Sequence, residues 1–328
     1  MNNILKRGLN KSERLLIDSL FRIKCENLLV KNKKGAKILC YHGLDLIENK
    51  RLNMRFYSVE SLEKHFYYFR KYFNPISVGD FFNNKFDSSR FNIAITFDDG
   101  YKNNFKYLIP LAEKYKIPVS IYITGINNSD YDFLWSDFAD IVSLYSSKNQ
   151  ISIAGKEFFK KRNKYLDENG MSIKGFIKLK GDFETKKEFI NCFPDFKEMC
   201  NKYSLDDYWQ LMSDEEIKNA SKSEFITIGS HAFFHNNLDN IPINDAVNEM
   251  RSSKNYLEGL IQKSVEEIAY PDGAYSRDII SEAEQIGFVR QLAVAYKHHE
   301  DINDNRIQDR FGMYPVYSNN CQIFQIVK

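Results

Sequence analysis

Five polar side chains with the chemistry of a hydrolytic centre stand directly after short, mostly apolar runs in this sequence. The runs at 38–41, 93–97 and 225–228 have the length and composition of strands that are covered on both faces. In parallel α/β folds the carboxyl ends of the strands meet at one edge, so side chains that follow different strands can converge. These side chains are His42, Asp98, Asp99, His231 and His235.

Their types fit a catalytic metal site. An aspartate with two histidines is a three-ligand set that leaves positions open for water and substrate. His231 and His235 share one face if their segment is helical or tightly turned. Asp98, next to Asp99 in the sequence, remains available to accept a proton. Taken alone, Asp98-Asp99-Gly100 also suits an ordinary turn, the spaced histidine pair is a weak motif, and the ligand set also suits non-haem iron.

Four segments together resemble one known family, the polysaccharide deacetylases with a NodB homology domain (carbohydrate esterase family 4). Thr-Phe-Asp-Asp-Gly-Tyr at 96–101 is similar to the first family motif, and the segment 229–238 with its two histidines is similar to the second. Ala-Tyr-Pro-Asp-Gly-Ala-Tyr at 269–275 is similar to the third motif, which lines the active-site groove. Cys-Tyr-His at 40–42 resembles an early element of the branch whose barrel is circularly permuted.

The resemblance implies a role for each of these residues. Asp98 would be the catalytic base, and Asp99, His231 and His235 would hold one divalent metal ion. Zinc is the expected metal, with cobalt, nickel or iron as alternatives. His42 would be the general acid, as in the permuted branch. The implied substrate-binding or supporting residues are Tyr101, Tyr270, Pro271, Asp272 and Arg310.

The sequence departs from the family pattern in three places. The third motif usually carries an arginine that steadies the catalytic aspartate, and Ala269 and Tyr270 stand in that neighbourhood here. Arg310, beside a predicted late strand, is the candidate replacement. The late Leu-x-His acid motif of the family is absent, which leaves His42 as the candidate acid. Asn236 stands where a proline often follows the second histidine, and we expect it to have little effect.

Alternating strands and helices are predicted to position these residues. A βαβ unit spans 93–123 and implies a parallel sheet or barrel. With the resemblance, which covers about 37–125 and 213–316, the prediction is an α/β fold: a distorted (β/α)7-type barrel with an inserted subdomain. The other predicted helices are one at 58–73, two that begin at about 213 and about 247, and one that ends at about 286. The other predicted strands are at 268–270, 291–295 and 311–316.

The chain divides into three parts by composition. Residues 1–36 form a basic segment with a predicted helix at 10–30, which begins at a capping box of Asn10 and Glu13 and has Leu16, Leu20 and Ile23 on one face. Residues 37–328 form the deacetylase-like domain. Within it, an insertion at about 127–211 breaks the alternation, contains a predicted hairpin at 151–158 and is expected to cover the active-site face.

The expected function is the removal of an N-acetyl group from an amino sugar in a glycan, or in a nucleotide-linked or lipid-linked precursor. Two alternatives stay open: a non-catalytic carbohydrate-binding relative, and a deformylase or O-deacetylase that acts on a related sugar. Five cysteines without a paired framework and the lack of a secretory signal favour the cytoplasm, with the basic segment 1–36 at the inner membrane face or packed on the domain. Net charge is only +2, and nothing marks a nucleic-acid binder.

Overall fold

Fourteen strands and thirteen α-helices make up the described part of this computed structural model, which comprises residues 9–47, 49–180 and 182–328. The strands are β1 Ala36–Tyr41, β2 Leu44–Asp45, β3 Tyr57–Ser58, β4 Phe73–Ile76, β5 Phe91–Phe97, β6 Val119–Ile123, β7 Gln150–Ile153, β8 Lys156–Lys161, β9 Lys164–Leu166, β10 Ile226–Ser230, β11 Glu267–Ala269, β12 Arg290–Leu292, β13 Ile307–Gln308 and β14 Phe311–Gly312.

The helices surround the main sheet or belong to the insertion. They are α1 Lys11–Arg22, α2 Asn27–Val30, α3 Val59–Tyr72, α4 Val78–Phe82, α5 Ile109–Tyr115, α6 Trp135–Tyr145, α7 Ile173–Lys180, α8 Phe183–Asn191, α9 Phe196–Tyr203, α10 Asp214–Ala220, α11 Ile243–Ile261, α12 Arg277–Ile286 and α13 Asn319–Val327. A π-helical turn, Asn104–Leu108, precedes α5.

A parallel sheet of nine strands forms the centre of the molecule, in the order β13-β12-β11-β10-β6-β5-β1-β14, with β4 beside the first half of β5. All seven residues of β5 are buried, as expected for a strand that has cover on both faces. The two edge strands of this order, β13 and β14, are separated along the chain only by Asp309 and Arg310. The segment that contains them therefore pairs with β12 at one edge and with β1 at the other, and closes the sheet into a barrel.

This architecture confirms the predicted distorted α/β barrel with an inserted subdomain. The sequence analysis missed β4, β13 and the last helix, α13. The predicted strand at 311–316 is shorter than expected, because pairing with β1 extends only over Phe311 and Gly312. Both predicted capping boxes, Asn10 with Glu13 and Ser213 with Glu216, are present.

The insertion has a hydrophobic core of its own. Its strands β7, β8 and β9 form an antiparallel sheet, which includes the predicted hairpin, and helices α6 to α9 pack beside it. Phe133 stacks on Phe138, and both rings contact Phe196. Aromatic pairs of this kind add stability beyond their buried area, so the high Phe content serves in part to build this second core.

The N-terminal segment packs on the barrel, although residues 1–8 of the predicted basic segment lie outside the described residues. The predicted single helix at 10–30 is two helices, since the chain turns at Lys24, where φ is +58°. The residues of α1 that enter the core are Ile17 and Phe21, and not those of the predicted apolar face, Leu16, Leu20 and Ile23. Within the described ranges, no helix is both long enough and apolar enough to cross a membrane.

Candidate metal centre and active-site cavity

Asp99, His231 and His235 converge at the carboxyl ends of β5 and β10. The Nε2 atoms of His231 and His235 lie 3.4 and 3.3 Å from Oδ1 of Asp99, and the three side chains are almost fully buried. Ligands about 2.0–2.1 Å from a tetrahedral zinc ion stand roughly 3.3–3.4 Å from one another, so these separations match those of a metal ligand set. The sequence analysis proposed these three residues as ligands, and the fold brings them together.

Two further features fit a bound cation. Neither carboxylate oxygen of Asp99 has a hydrogen-bond partner among the described residues, which is costly for a buried carboxylate unless a cation satisfies it. Nδ1 of His231 lies 2.7 Å from the carbonyl oxygen of Ala269 and can donate to it, which leaves Nε2 with its lone pair directed at the site. Asp99 and His235 both have positive φ, and His231–His235 is a tight turn rather than a helix.

Arg310 holds Asp98 from the segment that closes the barrel. Its Nη1 and Nη2 donate to Oδ1 and Oδ2 of Asp98 at 2.6 and 2.8 Å, and its Nε donates to the carbonyl oxygen of Ala293. Burial by itself would raise the pKa of Asp98, but the charge and hydrogen bonds of Arg310, together with the neighbouring His231 and His42, outweigh burial and hold that pKa well below its usual value. Arg310 therefore lies against Asp98, the carboxylate that the sequence predicts it to hold.

His42 lies beside Asp98, at the end of β1. The ligand atoms of Cys40, His42 and Asp98 are all within 4.8 Å of one another. Burial, reinforced by the positive charge of Arg55, lowers the pKa of His42 to about 3. The imidazole is therefore neutral at physiological pH before a reaction begins, and it can act as an acid only after it has gained a proton.

Tyr101 and the groove residues lie around this centre in different ways. Tyr101 is fully buried and donates to Oδ2 of Asp137 in α6 at 2.6 Å, so it supports the site and does not face the cavity. Tyr270 and Asp272 line the cavity, and Oδ1 of Asp272 accepts from Lys178 at 2.7 Å. Pro271 begins the short 3-10 turn that carries Asp272.

Three residues at the site were not found by sequence reasoning. Nη2 of Arg55 lies 3.7 Å from Oδ2 of Asp99, opposite the histidines. Asp137 accepts from Tyr101 and from Asn53, and burial raises its pKa to about 7. Arg55 lies in a loop without a motif, and Asp137 and Lys186 belong to the insertion, so no signal in the sequence identified them.

Lys186 links the insertion to the turn at 231–235, which carries two of the candidate metal ligands and is called here the metal-binding turn. It lies in α8, is buried, and its Nζ donates to Oδ1 of Asn236 and to the carbonyl oxygen of His235. Nδ2 of Asn236 donates to Oε1 of Glu249 in α11, whose Oε2 accepts from the backbone N–H of Phe234. The side chain of Asn236, for which the sequence predicts little effect, connects Lys186, the turn and α11.

A cavity of about 790 Å³ opens onto the centre, and residues of the barrel and of the insertion share its wall. His42, Asp98, His231 and His235 line its floor. The wall from the insertion includes Trp135, Asp140, Lys164, Tyr165, Lys174 and Lys178. A cavity of this volume is large enough for a small-molecule ligand, and the insertion supplies part of the wall that such a ligand would contact.

Comparison with known proteins identifies the family. The sequence profile of the polysaccharide deacetylases matches residues 86–290, which is more than half of the chain. The chain therefore belongs to the polysaccharide deacetylase family, as the motifs had indicated. A search of curated proteins finds no significant match.

Solved structures of deacetylases share the fold. The deacetylase PplD of Streptococcus pyogenes, solved with acetate, superposes with a TM-score of 0.56 at 12% identity over 89% of this chain and 98% of its own. IcaB of Ammonifex degensii gives a TM-score of 0.53 at 14% identity, over 90% and 98% of the two chains. A polysaccharide deacetylase of Bacillus cereus gives 0.52 at 16% identity, over 91% and 70%. Identities this low establish the common barrel and no more.

Proposed function

We propose that the protein is a metal-dependent hydrolase that removes the N-acetyl group of an amino sugar. The observation that carries this proposal is one buried arrangement: Asp99, His231 and His235 with ligand spacing, next to an Asp98 that Arg310 keeps ionised. A ligand carboxylate and a separate proton acceptor are the two parts that hydrolysis of an amide by water requires. Membership of the polysaccharide deacetylase family supports an acylated sugar as the substrate.

The residues of this chain divide the work. A divalent metal ion, when bound by the three ligands, supplies a Lewis acid that acidifies water and polarises the acyl carbonyl group. Asp98 accepts the proton of the attacking water, and Arg310 fixes the direction in which its carboxylate points. His42, neutral at first and with a ring nitrogen within 4.8 Å of Asp98, would gain this proton through a bridging water and deliver it to the departing amine. The products are acetate and the free amino sugar.

The other two readings of the sequence make different claims about the same site. A non-catalytic relative that only binds carbohydrate has no chemical need for Asp98, Arg310 and the three ligands together, and their close packing speaks against it. A deformylase or O-deacetylase would use the same groups. Release of formate, or release of acetate from an O-acetylated sugar only, distinguishes it from an N-deacetylase.

The first experiment measures metal content by elemental mass spectrometry and acetate release from N-acetylated sugars. We expect about one equivalent of zinc or a similar divalent ion in the wild type. His231→Ala/His235→Ala should lose both metal and activity, whereas Asp98→Asn should keep the metal and lose turnover. His299→Ala is the matched control, because this exposed histidine is remote from the site. A wild type that binds no metal after reconstitution would refute the proposal.

We also propose that the substrate is a precursor on a nucleotide or a lipid carrier, processed in the cytoplasm at the inner membrane face. The support is the outer surface of α1 and α2. Leu15, Leu16, Ile23 and Leu28 are 61, 61, 64 and 73% exposed, and basic side chains such as Arg22 and Lys24 lie among them. Exposed leucines among basic residues are typical of helices that lie on an anionic membrane surface.

A further inference from the structure

The wall of the active-site cavity carries more positively charged than negatively charged side chains. Among the described residues that line it, six are cationic and three are carboxylates. The cationic ones are Lys50, Arg51, Arg55, Lys164, Lys174 and Lys178. A neutral sugar with an acetamido group has no need of such a surplus, and low-dielectric walls of one charge sign raise the local concentration of ligands of the opposite sign.

Each of the three carboxylates of the wall has a cationic partner, and two of these partners, Lys174 and Lys178, belong to the six cations. Asp98 is held by Arg310, which lies beneath the cavity floor. Asp140 accepts from Lys174 at 2.7 Å, and Asp272 accepts from Lys178 at the same distance. Lys174 and Lys178 are therefore paired within the wall, and Arg55 lies near Asp99, so the positive charge that a ligand can meet is that of cations such as Arg51 and Lys164.

Two of the cations stand out by their place and by their lack of an acidic partner. Arg51 lies in the loop between β2 and β3 on the barrel side, and Lys164 begins β9 on the insertion side. In the part of the chain that the structure describes, no carboxylate lies within ion-pair distance of either side chain. Both are exposed, so each side chain is long and mobile enough to meet a group on a substrate in the cavity.

We infer that the N-acetylated sugar carries an anionic group, a phosphate or a carboxylate, which Arg51 and Lys164 bind from the two sides of the cavity. This inference rests on the proposed function for the identity of the sugar, but it concerns binding and does not depend on turnover. Phosphate on the anomeric oxygen and a uronate carboxylate present the same chemistry to these cations. Guanidinium binds either group through two parallel hydrogen bonds.

The test compares the affinities of three probes for the full-length protein by titration followed with nuclear magnetic resonance. The probes are N-acetylglucosamine, N-acetylglucosamine 1-phosphate and N-acetylgalactosaminuronic acid. We expect at least one anionic probe to bind on the order of tenfold more tightly than the neutral sugar, and added salt to reduce the difference. Tighter binding of the sugar 1-phosphate would identify a phosphate as the anionic group of the substrate, and tighter binding of the uronic acid would identify a carboxylate.

Arg51→Glu/Lys164→Glu decides the outcome, with Lys161→Glu as its control on the same hairpin but away from the cavity wall. The double variant should lose the preference for the anion and keep its affinity for the neutral sugar, and the control should keep both. A preference that persists in the double variant, equal affinities in the wild type, or no binding of either anion would overturn the inference. Acetate release from the neutral sugar alone would leave the proposed function in place.

Discussion

At the scale of single residues, the protonation of Asp98 depends on a balance between burial and one guanidinium group. Burial in the barrel favours the neutral acid, and the two hydrogen bonds from Arg310 favour the carboxylate. With the charge of Arg310 and the neighbouring His231 and His42, these hydrogen bonds outweigh burial, and the pKa of Asp98 lies well below its usual value. A base that is ionised near neutrality is ready to accept a proton, although its low pKa limits its strength.

Replacing Arg310 should therefore change the pH dependence of catalysis. Arg310→Met removes the strongest effect that opposes burial, so the pKa of Asp98 rises and the carboxylate is protonated as pH falls through that higher pKa. We expect kcat/KM near neutrality to fall on the order of 100-fold and the acidic limb of the profile to move to higher pH. The measurement is the pH profile of acetate release.

Arg306→Met is the control for this variant, since Arg306 pairs with Asp304 and Glu284 at the surface, away from the site. Its profile should match the wild type. Metal content checks that Arg310→Met has kept its fold. An unchanged acidic limb in a folded, metal-loaded Arg310→Met would show that Arg310 does not control the base.

Residues that follow strands could be predicted from the sequence, and residues that reach the site from elsewhere could not. Asp98, Asp99 and His231 stand at strand ends, where the fold class alone makes them neighbours. Arg310 was within reach of prediction because it adjoins a late strand. Arg55 has no comparable marker, since its position depends on how a loop packs against the insertion.

At the scale of elements, the metal-binding turn depends on two helices that carry no ligand. Lys186 of α8 and Glu249 of α11 meet at Asn236, one residue after the second histidine. Lys186 is buried at this contact, and burial lowers its pKa to about 8. The insertion thus contributes to the geometry of the metal site as well as to the cavity wall.

Lys186→Met should weaken metal binding without removing any ligand. The change leaves Glu249 buried without its cation and removes a donor from the carbonyl oxygen of His235, so the turn is held less firmly. Loss of a supporting contact of this kind typically reduces metal affinity by 10-fold or more. Competition with a chelator measures this affinity.

Lys187→Met, one position along the same helix, is exposed and serves as the matched control. It should bind metal like the wild type. If both variants keep the wild-type affinity while both remain folded, the contact has no role in the metal site.

The elements of the barrel were largely predictable, and those of the insertion were largely not. Continuous apolar runs mark β5 and β6, and an amphipathic repeat marks α3. These patterns arise because buried side chains recur along the sequence at a spacing that is characteristic of each type of element. The hairpin of β7 and β8 was also evident. Helices α6 to α9 escaped prediction because their buried aromatic residues pack on one another from all sides and leave no regular spacing.

At the scale of the whole molecule, the two ends of the chain pack together on one side of the barrel. Arg14 of α1 lies over the ring of Tyr317, and Asp18 accepts from Ser318 and Asn320 at the start of α13. Phe21 packs edge-on against Tyr68 of α3. This packing fixes α1 and α2 in place and leaves their opposite face, with its exposed leucines, directed at solvent.

A quadruple variant should no longer bind vesicles that contain anionic lipid. It carries serine in place of Leu15, Leu16, Ile23 and Leu28. Because these side chains are more than half exposed, the melting temperature should change by only a few degrees. Co-sedimentation with vesicles measures the binding. Ile302→Ser/Val316→Ser removes comparably exposed apolar side chains elsewhere and should bind like the wild type. Equal sedimentation of the quadruple variant and the wild type would exclude this face as a membrane contact.

The segment that closes the barrel also sets the order in which the site is completed during synthesis. Asp98 and the three candidate metal ligands all precede Arg310 in the sequence, so they leave the ribosome before it. A nascent chain therefore contains every ligand of the metal before it contains the guanidinium that keeps Asp98 ionised. The same segment closes the barrel and supplies the guanidinium that holds Asp98. A chain that stops before Arg310 therefore lacks both the closure and this guanidinium.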